Sequence, residues 1–228
     1  IFKTIISKTF NKRLVVSNSL QKKLPFKTIL IENPYDNEIF TNSILEKRDL
    51  KSLVFVGRLE KSKGCQTIIN ALGELRKKNK LYNLTVIGEG SFKKNLEDLT
   101  KNLKIENQIN FIGRRNPLEV SNILRKSNLM IIPSLWEEPF GIVALEGLAC
   151  GCKIICSRTG GLVEAINENG YFFNKGNHIE LANIIENFEN TSYFEFINRK
   201  KVESHLKNFK KEVVTNKYLG IFKNILKK

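Results

Sequence analysis

Glu138 and Glu146 are separated by the run Pro139-Phe140-Gly141-Ile142-Val143-Ala144-Leu145, and the stretch follows the apolar segment Leu129 to Leu135. That segment reads as a buried strand of parallel type ending at Pro133-Ser134. A loop then carries Trp136, Glu137 and Glu138, and a helix is expected to open around Phe140-Gly141. A helix N-terminus presents unpaired N–H groups and the positive end of the helix dipole, which together can hold a phosphate. Glu138 lies just before the first turn and Glu146 about two turns along, a span of roughly 12 Å. One carboxylate can therefore meet a group on one side of a diphosphate while the other meets a ribose on the far side, a spacing that suits a sugar nucleotide. Two glutamates so placed also describe a solvated helix face, so the surrounding elements decide.

Those elements alternate from residue 50 onward. Strand-like runs occur at Leu53–Val56, Leu84–Ile87, Ile109–Ile112, Leu129–Ile132, Lys153–Cys156 and Tyr171–Phe173, with helix-period segments over 64–79, 92–104, 117–126, 141–150 and 178–189. This pattern predicts an α/β fold with a doubly wound parallel sheet, Rossmann-like, in which ligands bind at the carboxyl ends of the strands. After the first strand comes Gly57-Arg58-Leu59-Glu60-Lys61-Ser62-Lys63-Gly64. Arg58 offers a planar fork for phosphate and Lys63 a mobile point charge. The third strand ends at Gly113-Arg114. After the fifth strand, Gly160 and Gly161 permit close approach of the backbone to a ligand, and Glu164 is expected to stabilise the helical turn that follows.

Taken together, these stretches resemble the retaining glycosyltransferases of family 4, which have the GT-B fold. The resemblance rests on Glu138-x7-Glu146 with Pro-Phe-Gly after the first Glu, Gly57-Arg58-Leu59…Lys63-Gly64, the Pro133-Ser134 strand end and Gly160-Gly161-x-x-Glu164, and it covers roughly residues 14–228. It implies the C-terminal, donor-binding half of such an enzyme. In that reading Glu138 engages hydroxyls of the donor sugar and amides of Phe140, Gly141, Ile142 and Val143 approach the sugar and phosphates. Glu146 holds the ribose diol, and Arg58 and Lys63 neutralise charge on the departing nucleoside diphosphate. The backbone near Gly113 faces the base, beside Arg114, and retention of anomeric configuration also comes from the family. The implied donor is UDP-linked and the acceptor a glycan or lipid-linked molecule in bacterial surface polysaccharide synthesis. No cofactor or metal is required. Residues 1–33 correspond to the end of the N-terminal acceptor domain, 34–49 to the hinge, 50–208 to the nucleotide-sugar domain and 209–228 to a C-terminal crossing helix. The chain, which starts at Ile1, is expected to be a fragment whose acceptor contacts lie in the missing half.

Composition sets further bounds. The chain has 228 residues, 41% hydrophobic, enough to bury a core. No apolar run approaches the ~20 residues of a spanning helix, so a soluble protein is expected, located in the cytoplasm or peripherally on the inner face of the cell membrane. The net charge of +15 fits an anionic membrane surface or a Lys, Asn and Ile compositional bias. Its lysines are spread over helix surfaces without stacking aromatics, which argues against nucleic acid as partner. A basic nucleic-acid-binding module and an epimerase or phosphorylase on the same scaffold are the alternatives. Cys150-x-Cys152-x3-Cys156 lacks the C-x2-C pairs of structural zinc, and with Cys65 these are expected to be buried thiols. His178 and His205 stand alone on polar helices and are poor catalytic candidates.

Overall fold

The computed structural model describes residues 12–42, 48–188 and 199–226. Strand β1 (Leu14–Val15) leads through the short helix α1 (Asn18–Gln21) to β2 (Ile29–Leu30), and the two strands pair in parallel. Strands and helices then alternate: β3 (Ser52–Val56), α2 (Cys65–Lys77), β4 (Asn83–Ile87), α3 (Lys93–Asn102), β5 (Ile109–Gly113), α4 (Pro117–Lys126), β6 (Leu129–Ile132), α5 (Ile142–Ala149), β7 (Lys153–Ser157), α6 (Leu162–Ile166), β8 (Gly170–Phe173) and α7 (His178–Asn187). Helices α8 (Arg199–Lys207) and α9 (Lys211–Leu226) follow. The expected strands are present with ends moved by at most one residue. The segment 117–126 is helical throughout because Pro117 opens it and a reciprocal capping box joins Asn116 to Glu119 at 3.0 and 2.9 Å.

Strands β3 to β8 form one parallel sheet in the order β5-β4-β3-β6-β7-β8. Numbered within the sheet this is the doubly wound order 3-2-1-4-5-6, and it reverses between β3 and β6, where the carboxyl ends open a crevice. Strand alternation divides the core into two layers. Val54, Met130, Ile154 and Cys156 pack on one face with residues of α4, α5, α6 and α8; Leu53, Phe55, Leu129, Ile131 and Ile155 pack on the other with α2, α3 and α7. Strand β6 is buried along its whole length, as a continuous apolar run in a parallel sheet requires.

The stretch after β2 ties the C-terminal helices to this frame. The Tyr35 amide donates to the Phe209 carbonyl at 3.1 Å, the Lys211 amide to Asn37 Oδ1 at 2.9 Å, and Lys211 Nζ pairs with Asp36 at 2.7 Å. Glu164 lies in the first turn of α6, where a carboxylate favours its own helix, and it also accepts hydrogen bonds from the amides of Asn18 and Ser19 in α1. No helix among the described residues is long and apolar enough to cross a membrane.

Candidate active site

The loops after β3 and β6 are stitched together at the crossover. The 3₁₀ turn Lys61–Lys63 ends at Gly64, whose φ is +76°. A Cβ there would stand 1.9 Å from the Pro133 carbonyl oxygen, so only glycine allows the approach. Beside it the Leu135 amide donates to the Ser62 carbonyl at 2.8 Å. Lys63 is held between these two contacts and reaches across the crevice.

Its Nζ lies 2.8 Å from Glu138 Oε1, and Ser134 Oγ donates to the same oxygen at 2.8 Å. Both charged side chains are largely buried, Lys63 at 20% exposure and Glu138 at 12%. The Lys63 ammonium also stands 5.0 Å from the centre of the Trp136 ring, within cation–π range. Arg58 is more exposed and pairs with Glu60 at 2.6 Å.

The Glu138 loop is backed by the turn after β7. The Gly161 amide donates to the Glu138 carbonyl at 2.7 Å. A Cβ on Gly160 or Gly161 would approach the carbonyl oxygens of Glu138 and Pro139 to 2.3 and 2.4 Å. The close approach that these glycines permit is therefore to the Glu138 loop. Thr159 Oγ1 donates to the Trp136 carbonyl at 3.1 Å, and buried Phe140 lies 5.6 Å from the Phe209 ring. Helix α5 then opens at Ile142 with Gly141 as its N-cap and no side-chain cap, leaving its first N–H groups available to a ligand.

A cavity of about 390 Å³ occupies the crossover, lined by Gly57, Arg58, Lys63, Glu138, Phe140, Gly141, Ile142 and Val143 among others. A neighbouring one of about 520 Å³ runs toward β5 and is lined by Arg114, Arg115, Glu89 and again Gly57 and Arg58. Arg58 thus stands on the wall common to both. Gly113 does not line the second cavity; its carbonyl accepts the Gly88 amide at 2.9 Å and shapes the turn. Glu146 lines neither cavity. Burial, and secondarily the charge of Asp36, pushes its carboxyl up to about 7. Asn33, Ser134 and Leu162 also line the crossover cavity. Ser134 reads in the sequence as a strand end, Asn33 as an Asn-Pro turn at the expected hinge, and Trp136 as a loop residue.

Among the described residues no group of three or more His, Cys, Asp or Glu could hold a metal ion. The four cysteines are free and buried, and burial pushes the Cys152 thiol up to about 12. His205 Nε2 lies 2.8 Å from the Ala165 carbonyl and its ring packs near Phe209, a structural placement.

Comparison with known proteins matches residues 36–211 to the family described as glycosyl transferases group 1. Two uncharacterized glycosyltransferases of Methanocaldococcus jannaschii are 35% and 31% identical over 127 and 168 residues, 56% and 73% of this chain. The chain spans only 32% and 45% of their lengths. Among solved structures, Anabaena HepE in complex with UDP and glucose superposes with a TM-score of 0.81 at 21% identity, covering 92% of this chain and 62% of HepE. The chain belongs to the glycosyl transferases group 1, and its six-stranded parallel sheet is that of a GT-B glycosyltransferase.

Proposed function

We propose that this chain is the donor-binding half of a retaining glycosyltransferase that moves a sugar from a UDP-linked donor to a glycan or lipid-linked acceptor. The observation that carries the reading is the crossover cavity, in which Arg58, Lys63, Glu138 and the open N-terminus of α5 converge. Arg58 and Lys63 take the diphosphate and neutralise the charge that develops on the departing nucleoside diphosphate, which stabilises the transition state electrostatically. Amides of the Phe140–Val143 turn approach the phosphates and sugar and Glu138 accepts sugar hydroxyls; Glu146, which lines neither cavity, is assigned to the ribose diol by the family resemblance alone. Arg114 lies in the neighbouring cavity, where the base is expected. The choice of uridine is supported by family habit and by the UDP bound in HepE. Retention, a donor chemistry without metal, and a setting in bacterial surface polysaccharide synthesis on the cytoplasmic face of the membrane follow the family resemblance and the basic charge. Acceptor contacts belong to the part of the enzyme outside this chain.

Thermal stabilisation by a panel of nucleoside diphosphates and sugar nucleotides tests the reading. Ligand at about 100 times its dissociation constant adds roughly 2.7 kcal/mol. A shift selective for uridine and reduced in both Glu146→Ala and Arg58→Ala is expected. Absence of a shift with every nucleotide, or equal shifts in all three proteins, overturns it.

A further inference from the structure

The candidate phosphate-binding cation, largely shielded from water, is paired with a carboxylate of the same site. Lys63 Nζ sits 2.8 Å from Glu138 Oε1, and the pair is largely shielded from water. The same oxygen receives the Ser134 hydroxyl at 2.8 Å, so Oε1 is committed to protein donors. Both side chains line the cavity at the crossover. A diphosphate entering that cavity brings a second and stronger anion to the same ammonium, which has three donors but one location.

We propose that Glu138 and the donor diphosphate compete for Lys63, so that capture of the diphosphate loosens the hold of Lys63 on Glu138 and frees the carboxylate to accept a sugar hydroxyl. This rests on the functional reading above and assigns Glu138 a role before chemistry: paired with Lys63, it holds the ammonium away from the phosphates. A nucleoside diphosphate must displace that contact, and the displacement weakens its apparent affinity. A nucleoside monophosphate, which does not extend as far along the phosphate path, meets less of the competition. Trp136, with its ring 5.0 Å from the ammonium, supplies a surface over which the cation stays partly compensated as it changes partner.

The test is a double-mutant cycle read by calorimetric titration of UDP and UMP into this chain. Glu138→Gln keeps the shape and the Ser134 contact but removes the competing charge. It is expected to tighten UDP binding about five-fold and to change UMP binding much less. Glu137→Gln, a neighbouring carboxylate paired with Lys23 at 3.1 Å on the surface, controls for the loss of one negative charge and is expected to leave UDP affinity within about two-fold. In a Lys63→Ala background the benefit of Glu138→Gln should disappear, because the interaction energy of the cycle isolates the pair. UDP affinity unchanged or weakened by Glu138→Gln overturns the proposal, as does equal tightening in the Lys63→Ala background. A wild-type chain that binds no UDP overturns the functional reading and this inference together; one that binds UDP while the cycle shows no coupling overturns this inference alone.

Discussion

The backbone amide of Ser19 donates to Glu164 Oε1 at 2.6 Å, across 145 positions of sequence. The other oxygen takes the amide and side-chain amide of Asn18 at 2.7 and 2.8 Å. A carboxylate placed this way satisfies orphan N–H groups of α1 and faces the positive end of its dipole. Glu164 lies on α6, directly after the Gly160-Gly161 turn that backs Glu138. The segment around α1 is therefore fastened to the same scaffold that carries the candidate site.

Replacing Glu164 with Ala should lower stability by about 1–2 kcal/mol, the cost of losing a cap and its charge-assisted hydrogen bonds. Hydrogen exchange at the Ser19 amide should accelerate in step. An amide as protected as in the wild type would contradict the capping role. Lys23→Ala, which breaks only an exposed pair with Glu137, should change unfolding by less than about 0.5 kcal/mol.

Glu146 makes stability depend on pH. Its carboxyl titrates at about 7 in the folded chain, against an ordinary value of 4.5. Between these values the folded state keeps a proton that the unfolded chain has released. Stability is therefore fully present below about 4.5 and lost as pH rises through about 7. With each unit worth 1.36 kcal/mol and allowance for partial exposure, the loss is roughly 2 kcal/mol. Urea midpoints at pH 5 and pH 8 should diverge in the wild type and converge in Glu146→Gln; equal slopes in the two proteins would refute the assignment.

Gly64→Ala meets two obstacles, a backbone at φ +76° and a Pro133 carbonyl oxygen 1.9 Å from the new methyl group. The strain and the forced separation of the two loops should cost about 3 kcal/mol or more. Because Lys63 adjoins this turn, nucleotide affinity should fall with stability. A variant of wild-type stability would mean that the loops move apart freely.

Arg58→Ala and Lys63→Ala should each weaken UDP by about ten-fold while leaving uridine affinity nearly unchanged, as expected for side chains directed at phosphate. Paired titrations of UDP and uridine measure the difference. Equal losses for both ligands would place these residues at the nucleoside instead. In the whole enzyme Glu138→Ala should abolish transfer without weakening nucleotide binding; parallel loss of both would sink the division of roles.

Much of the fold was legible because its signals are local. Leu129-Met130-Ile131-Ile132 is uninterrupted apolar sequence and becomes the fully buried β6. The helix-period segment 117–126 becomes α4 over the same residues. The candidate site was legible in part. Gly57, Arg58, Lys63, Glu138 and the Phe140–Val143 turn all line one cavity, because strand-end loops of a doubly wound sheet collect at its carboxyl edge. Gly160 and Gly161 signal close approach without naming what approaches, and among the protein's own segments it is the Glu138 loop that comes near. Asn33 enters the cavity from outside the alternating region, from the Asn-Pro turn at the expected hinge.

By itself the sequence determined the alternation of strand and helix, the parallel class of the sheet and the residues delivered to its ligand-binding edge. Side-chain periods of two and about 3.6 are properties of neighbouring residues and need no distant partner. Tertiary structure decided what those residues do to one another. The pairing of Lys63 with Glu138 crosses 75 positions and exists because β3 and β6 are adjacent at the reversal of strand order. The capping of α1 by Glu164 and the raised titration of Glu146 beside Asp36 depend likewise on contacts between separate elements. Charge, burial and distance act through space, and the fold alone sets those distances.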